Sequence, residues 1–375
     1  MSDLWKGAQN KQPRGDKKGI KNADEKESLC PELCRICVLT FTRLMAIFKI
    51  DTRLGRKHEM TKLMKAILRA VLPFVLCLAA FGGVTGANSA AAPDFDPARV
   101  SWRSLTFEAK TMLAKVIVDI GLSSRSSENA AAALIAAPQG IPVQSSSMQV
   151  YQIAVNRTID PAFGATIREE DQVWFDPEQG GALGRTRLRL GDDDQKKVYR
   201  FTQQGVFRLR RQPKDDNEAR LAPEGWTDVR ETFYPYRLAQ LGCALASERS
   251  ILIYLASAAA LSAQAEPISM CVFGKRQLHR VKLYPAGFQS LKVNYIEKKA
   301  QVQNRKTGRI DALKIVIEAQ PLESDLDEVE NFSFLGFLED IAIYLDPQTY
   351  VPIQASGRLP SIGMVDMVLQ EVQLR

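Results

Sequence analysis

Apolar and polar side chains alternate in short runs through most of the chain beyond residue 100, the period of half-buried strands. Trp102 to Leu122 carries Leu105, Phe107 and Ala109, then Ala114, Val116, Val118 and Ile120, with Lys115 and Asp119 facing away. Tyr151–Thr158, Ala165–Phe175 and Ala182–Leu190 continue the pattern. Val198–Phe201 and Val206–Arg211 flank a turn at Gln203-Gln204-Gly205, and Gly191 to Asp194 makes another. Further strands are predicted at Asp228–Tyr236, Met270–Tyr284, 291–295, 313–319, 341–345, 350–356 and 364–374. Residues 123–148, rich in Ser and Ala and broken by Pro138, Gly140 and Pro142, read as a flexible surface excursion with a short helix at Glu128–Ala137.

One stretch breaks the strand period. Between Arg237 and Pro267, Ile251, Tyr254, Leu255, Ala258 and Leu261 repeat at helical spacing, and Leu252, Ile253, Ala256 and Ala259 make the other faces apolar. A helix apolar all round is buried. Its uncharged run after Arg249 is about 16 residues, short of the roughly 20 that cross a bilayer. Ten or more strands around one such helix, without a helix between each pair, predict a mainly β fold. The expected architecture is an antiparallel curved sheet or half-barrel wrapped around one buried α-helix at about 248–264.

Upstream the character changes. Lys62, Lys65 and Arg69 precede the apolar run Val71–Val84, and small residues follow at 87–91, so 60–89 reads as a signal peptide or an uncleaved signal anchor. Residues 1–59 read as a leader or over-extended start, and 90–375 as a single exported β-rich domain. Either form of the signal puts that domain outside the cytoplasm, periplasmic or anchored to the inner membrane. The split changes the meaning of the charge. Residues 1–89 hold 16 Lys+Arg and 8 Asp+Glu, leaving 34 against 35, so the formal +7 of the chain becomes about −1 beyond the signal. Nucleic acid is therefore not an expected partner, and membrane contact is expected only through the signal or anchor.

Candidate chemistry is sparse. Cys30, Cys34 and Cys37 have the C-x3-C-x2-C spacing of a radical S-adenosylmethionine cluster site, but a signal sequence follows where that family needs its barrel. Cys243 and Cys271, in the exported part, could pair in an oxidising compartment or stand as two buried thiols. His279 is the sole histidine there, and no G-x-S-x-G or H-E-x-x-H motif accompanies it. No catalytic residues, metal site or cofactor are expected. Arg185, Arg187 and Arg189 alternate with Thr186, Leu188 and Leu190, with Arg208, Arg210 and Arg211 nearby. A solvated basic face is the expectation, contact with anionic lipid or glycan the alternative.

Short motifs point to a family. Phe233-Tyr234-Pro235, Gly274-Lys275-Arg276, Tyr284-Pro285-Ala286-Gly287, Leu291-Lys292-Val293, Tyr344-Leu345-Asp346-Pro347, Val351-Pro352-Ile353 and Ile362-Gly363 resemble a bacterial envelope family catalogued as domain-of-unknown-function family 3108. The resemblance spans roughly 198–375 and implies an exported, half-barrel-like sheet without catalytic residues to carry over. The expected function is a non-enzymatic envelope protein of unknown role, binding a lipid-like apolar ligand between sheet and helix. Tyr254 and Ala259 are the expected apolar contacts, and Lys275, Arg276 and His279 the candidates to meet an anionic headgroup. An assembly or scaffold protein contacting another envelope protein is the alternative. A hydrolase of envelope glycans has only unlinked carboxylate pairs such as Glu169-Glu170 and Glu339-Asp340 behind it.

Overall fold

The computed structural model describes residues 95–375 apart from 192, 260, 323–330 and 361. The expected leader (1–59) and signal (60–89) lie outside the described residues. Every described residue belongs to one compact unit.

Among the described residues, fifteen strands form one large, mainly antiparallel sheet. The first eight make an uninterrupted meander: β1 (Trp102–Lys110), β2 (Ala114–Ser126), β3 (Gln149–Pro161), β4 (Ile167–Phe175), β5 (Ala182–Leu190), β6 (Gln195–Phe201), β7 (Gly205–Gln212) and β8 (Asp228–Pro235). The rest follow as β9 (Ala246–Glu248), β10 (Ile268–Phe273), β11 (Leu278–Lys299), β12 (Val302–Pro321), β13 (Glu339–Leu345), β14 (Pro352–Leu359) and β15 (Gly363–Leu374). The two sets join where β15 lies antiparallel to β1, and β8 and β9 are the two ends of the order. β15 also pairs in parallel with the far end of β11, through Ile296 and Glu371, which closes β11–β15 into a five-strand ring. The chain is thus mainly β with a curved, barrel-like sheet.

Alternation sets which face is inside. Leu105, Phe107 and Ala109 on β1 and Val116, Val118, Ile120 and Leu122 on β2 are buried, while Asp119 is exposed. The pattern misreads β11 and β12, which run unbroken for 22 and 20 residues through the expected interruption at Pro285–Gly287. A register shift between Pro285 and Phe288 absorbs the proline, the usual position for one in a paired strand.

The central helix is shorter than predicted. A 3-10 turn at Arg249–Ile251 runs into α1 (Leu252–Ala258), and every residue of both is buried. Ala259 is already extended at ψ 116°, and residues 261–264 are extended or turning. Just beyond the helix Ala259 and Leu261 are still buried in the main core, and the chain then comes to the surface. The polar residues Ser262, Gln264 and Glu266 are indeed exposed. The start falls where expected, at Arg249, although as a 3-10 turn; before it residues 237–245 form turns, with Gly242 at φ +64°, and 246–248 form β9.

The excursion at 123–148 is tied to the sheet at several points. Residues 123–126 extend β2, and a second helix, α2 (Ser127–Ala133), is capped by the Ser126 hydroxyl accepting from the Asn129 amide. Ala130, Val150, Trp174 and Leu183 make a small separate core, with Leu134 packed on it. At Gly184 a Cβ would lie 2.3 Å from Leu134 Cδ2, so a larger residue there would require the Leu134 side chain to move. Asp176 closes the segment: its carboxylate accepts from Ser145 Oγ at 2.8 Å and from Ser146 N and Oγ, each at 2.9 Å. Burial raises the Asp176 pKa, but the backbone amide of Gln179, these serines and the amide of Glu178 outweigh it and hold the carboxyl low.

Candidate functional site

The residues expected to line a ligand pocket fall in different places. Tyr254 and Ala259 are fully enclosed in the main core. The Tyr254 hydroxyl donates to Pro177 O at 2.9 Å, and its ring meets Phe175 and Tyr151 edge-on. On the next turn Trp102 Nε1 donates to Ser257 Oγ at 3.1 Å. These contacts make the helix a packing element. Lys275 and Arg276 are exposed in the β10–β11 turn. His279 is buried, edge-on to Phe332, and lines a separate cavity of about 490 Å³ with Glu318, Glu339 and Asp340 on its wall. Cys243 and Cys271 form a disulfide with Cα atoms 5.9 Å apart. It ties the loop 236–246 to β10, beside the parallel pairing of Ala246 with Cys271.

That loop is one wall of a larger groove, of about 940 Å³, and the other wall is the segment 141–144 with the β6–β7 turn. Both walls are pinned. On one side Ile141 N donates to Gln204 Oε1 at 2.7 Å, Gln203 N to Ile141 O at 2.8 Å and Val143 N to Phe201 O at 3.0 Å. On the other, the Tyr236 hydroxyl donates to Thr202 O at 2.7 Å, the Arg280 guanidinium to Leu241 O, and Cys243 N to Leu238 O at 2.8 Å. Burial pushes the Tyr236 phenol well above its ordinary pKa. Ile141, Pro142, Val143, Leu238 and Leu245 supply an apolar lining, and Arg237 is exposed at the edge. The loop lies just before the expected helix at 248–264, and Gly242 within it was the available sequence signal of a turn.

The Arg-rich strands are a third feature, and they do not form a solvated outer face. Residues directly opposite across neighbouring strands share a face. Val173, Arg185, Tyr199 and Arg208 make one row from β4 to β7, and Asp171, Arg187, Lys197 and Arg210 the next. Glu169, Arg189 and Gln195 make a third. Val173 is fully buried in the main core, so these rows lie on the inner face. Arg185 is only 3% exposed. Its Nε and Nη2 donate to the two oxygens of Asp171 at 2.8 and 2.9 Å, and its Nη1 lies 2.8 Å from Glu248 Oε1. Burial alone would lower the Arg185 pKa, but the two carboxylates outweigh it and raise it. Glu169 is likewise surrounded by Arg157, Arg187 and Arg189, which hold its carboxyl low against its burial. Arg249 is pushed down to about 10 by burial and the nearby Arg185.

Charge is not balanced along these rows. Among the described residues, the cations Arg157, Arg185, Arg187, Arg189, Lys197, Arg208 and Arg210 face the carboxylates Glu169, Asp171, Glu248, Asp193 in the β5–β6 turn and, beyond β7, Asp228. A surplus of positive charge therefore sits half-buried on β5–β7. The sequence shows the arginines, but their carboxylates lie on other strands, so the pairing becomes visible only with the register.

No protein-family model matches the chain, and no curated protein matches it. Among solved structures it is similar to a beta-barrel-like protein of domain of unknown function DUF1849 from Brucella abortus. Identity is 6% and the TM-score 0.34, over 74% of this chain and 99% of that one. A likeness of that strength carries no argument about function.

Proposed function

We propose that the protein is a non-enzymatic binding protein of the cell envelope, periplasmic or held at the inner membrane by its signal segment, that takes a lipid-like ligand. The ligand site in this reading is the groove between residues 141–144, the β6–β7 turn and the loop 236–246, in place of the packed space beside α1. The observation that carries it is the groove itself: about 940 Å³, lined mainly by apolar side chains, with both walls tied down. That volume is within the range of small-molecule sites, and fixed walls reduce the ordering cost of binding. Arg237 at the edge would meet an anionic headgroup. The Cys243–Cys271 disulfide supports an oxidising compartment, and the resemblance to the envelope family belongs to the same proposal.

Native mass spectrometry of the protein purified from its host membrane fraction tests the reading, with co-purifying lipid the expected result. Ala244 lines the groove but is exposed, so Ala244→Trp fills the site at a position where substitutions change stability by about 0.5 kcal/mol or less. The variant should lose the lipid and keep its melting temperature. Lipid-free wild type, or full retention in the variant, would sink the proposal.

A further inference from the structure

We propose that the inner face of β5–β7 is a binding site for a phosphate group, with Lys197 and Arg208 as its principal contacts and Arg187 and Arg210 flanking them. The site is separate from the groove and does not rest on the lipid reading.

Register is the first argument. Arg187, Lys197 and Arg210 stand directly opposite one another on three neighbouring strands. Like charges directly opposite across strands repel, and here the face is half-buried, where water screens less. Partners are the second. Arg187 is answered by Glu169 at 3.0 Å and Arg210 by Asp228 at 3.4 Å. Among the described residues, Arg208 meets the Thr232 hydroxyl at 3.1 Å and the face of the Tyr234 ring at 5.1 Å. Lys197 has no ion pair among the described residues. The third is the unused donors. The Nε atoms of Arg208 and Arg210 are buried without a hydrogen-bond partner among the described residues, while Arg187 Nε, also without a hydrogen bond, lies 4.0 Å from Asp171 Oδ2. A guanidinium donates through its Nε edge in a fork that fits two oxygens of an oxyanion. Forks and one ammonium converging from adjacent strands, about 4.8 Å apart, suit an anion with more oxygens than a carboxylate has.

Lys197 supplies a signature that a structural lysine lacks. Burial, then Arg187 on β5 and Arg208 on β7, push its ammonium down to about 8; Asp193 in the β5–β6 turn opposes them, and Arg210 on β7 adds to them. Asp228 on β8 reaches this cluster only through Arg210. A bound dianion reverses that balance, so binding near pH 8 draws in a proton.

The phosphate could belong to a free ester or to a lipid headgroup. Isothermal titration of the full-length protein at low salt, pH 8, uses two probes: inorganic phosphate, and vesicles containing phosphatidic acid. Saturable binding to phosphate, with an enthalpy that varies with the buffer through proton uptake, is expected. Lys197→Met should abolish the proton uptake and weaken binding at least tenfold, and Arg208→Gln should weaken it at least tenfold. Binding to the vesicles alone, lost in the same variants, supports the site and assigns the phosphate to a headgroup. Lys197→Met removes a repelled charge, so the variant should fold with an unchanged or higher melting temperature. Absence of binding to both probes, or binding unchanged in the folded variants, overturns the proposal.

Discussion

The two halves of the inner sheet face are built from the same alternating pattern and end in opposite chemistries. In the ring of β11–β15, facing rows are aliphatic: Leu313 opposite Leu345, Ile315 opposite Ile343, and Ile353, Met367 and Leu369 buried beyond them. Across β4–β7 the equivalent rows are Asp171, Arg187, Lys197 and Arg210. An aliphatic interior tolerates small volume changes because each contact is weak and non-directional. A charged interior is held only while each ion keeps its partners, since one lost partner leaves an uncompensated charge. One half of the sheet is therefore a core, and the other has the makings of a site.

The sharpest way to break the comparison is to cut one residue from each half. Arg185→Met leaves Asp171 and Glu248 buried without their shared cation, and should cost about 3–5 kcal/mol. Ile343→Val in the ring removes one methylene and should cost about 0.5–1.5 kcal/mol. Urea unfolding of the two variants beside wild type measures both. Equal losses would mean that the charged half behaves as ordinary core.

The disulfide sharpens the comparison next, because it belongs to neither interior and holds the groove wall. Cys243 and Cys271 are 28 residues apart in sequence, and closing a loop of that length stabilises by about 3 kcal/mol. Peptide mapping without reductant should recover the two cysteines in one linked fragment. Reduction should lower the stability by that amount and release the groove's ligand, while leaving the ring β11–β15 protected from hydrogen exchange. Two free thiols in the mapped protein would remove the clamp from the account.

The pattern that made the fold legible is also what hid the site. Alternation on β1 and β2 placed Leu105, Phe107, Val118 and Ile120 inside, because an apolar side chain and its position alone decide burial there. The same alternation placed Arg185 and Arg187 outside, since nothing local says that Asp171 stands opposite Arg187 on the neighbouring strand. Helical spacing found Leu252–Ala258 but carried the helix too far beyond Ala258, as periodicity contains no measure of how much interior there is to cross. The groove escaped because the shape of its wall, 236–246, depends on the turn at Gly242 and on a disulfide to β10, which no periodic pattern places.

The smallest effect isolates the repulsion within the charged half. Lys197 is held at about 8 in the folded protein, against about 10.4 in an unfolded chain. Below pH 8 both states carry the proton, so the folded state bears the full cost of the crowded ammonium. Between pH 8 and about 10.4 the folded protein releases the proton first, the unfolded chain binds more protons, and stability rises with pH. Above that range the cost is gone. The shift would cap the cost at about 3 kcal/mol, and screening of a partly exposed ammonium reduces it to about 1 kcal/mol. Tyr236 and Tyr254, pushed up by burial, act with the opposite sign at alkaline pH. They cancel when wild type is compared with Lys197→Met. The variant should be more stable than wild type by about 1 kcal/mol at pH 7, in phosphate-free buffer, and the gap should close by about pH 10.5. A gap that stays constant across that range would assign the difference to packing of the side-chain stem rather than to charge.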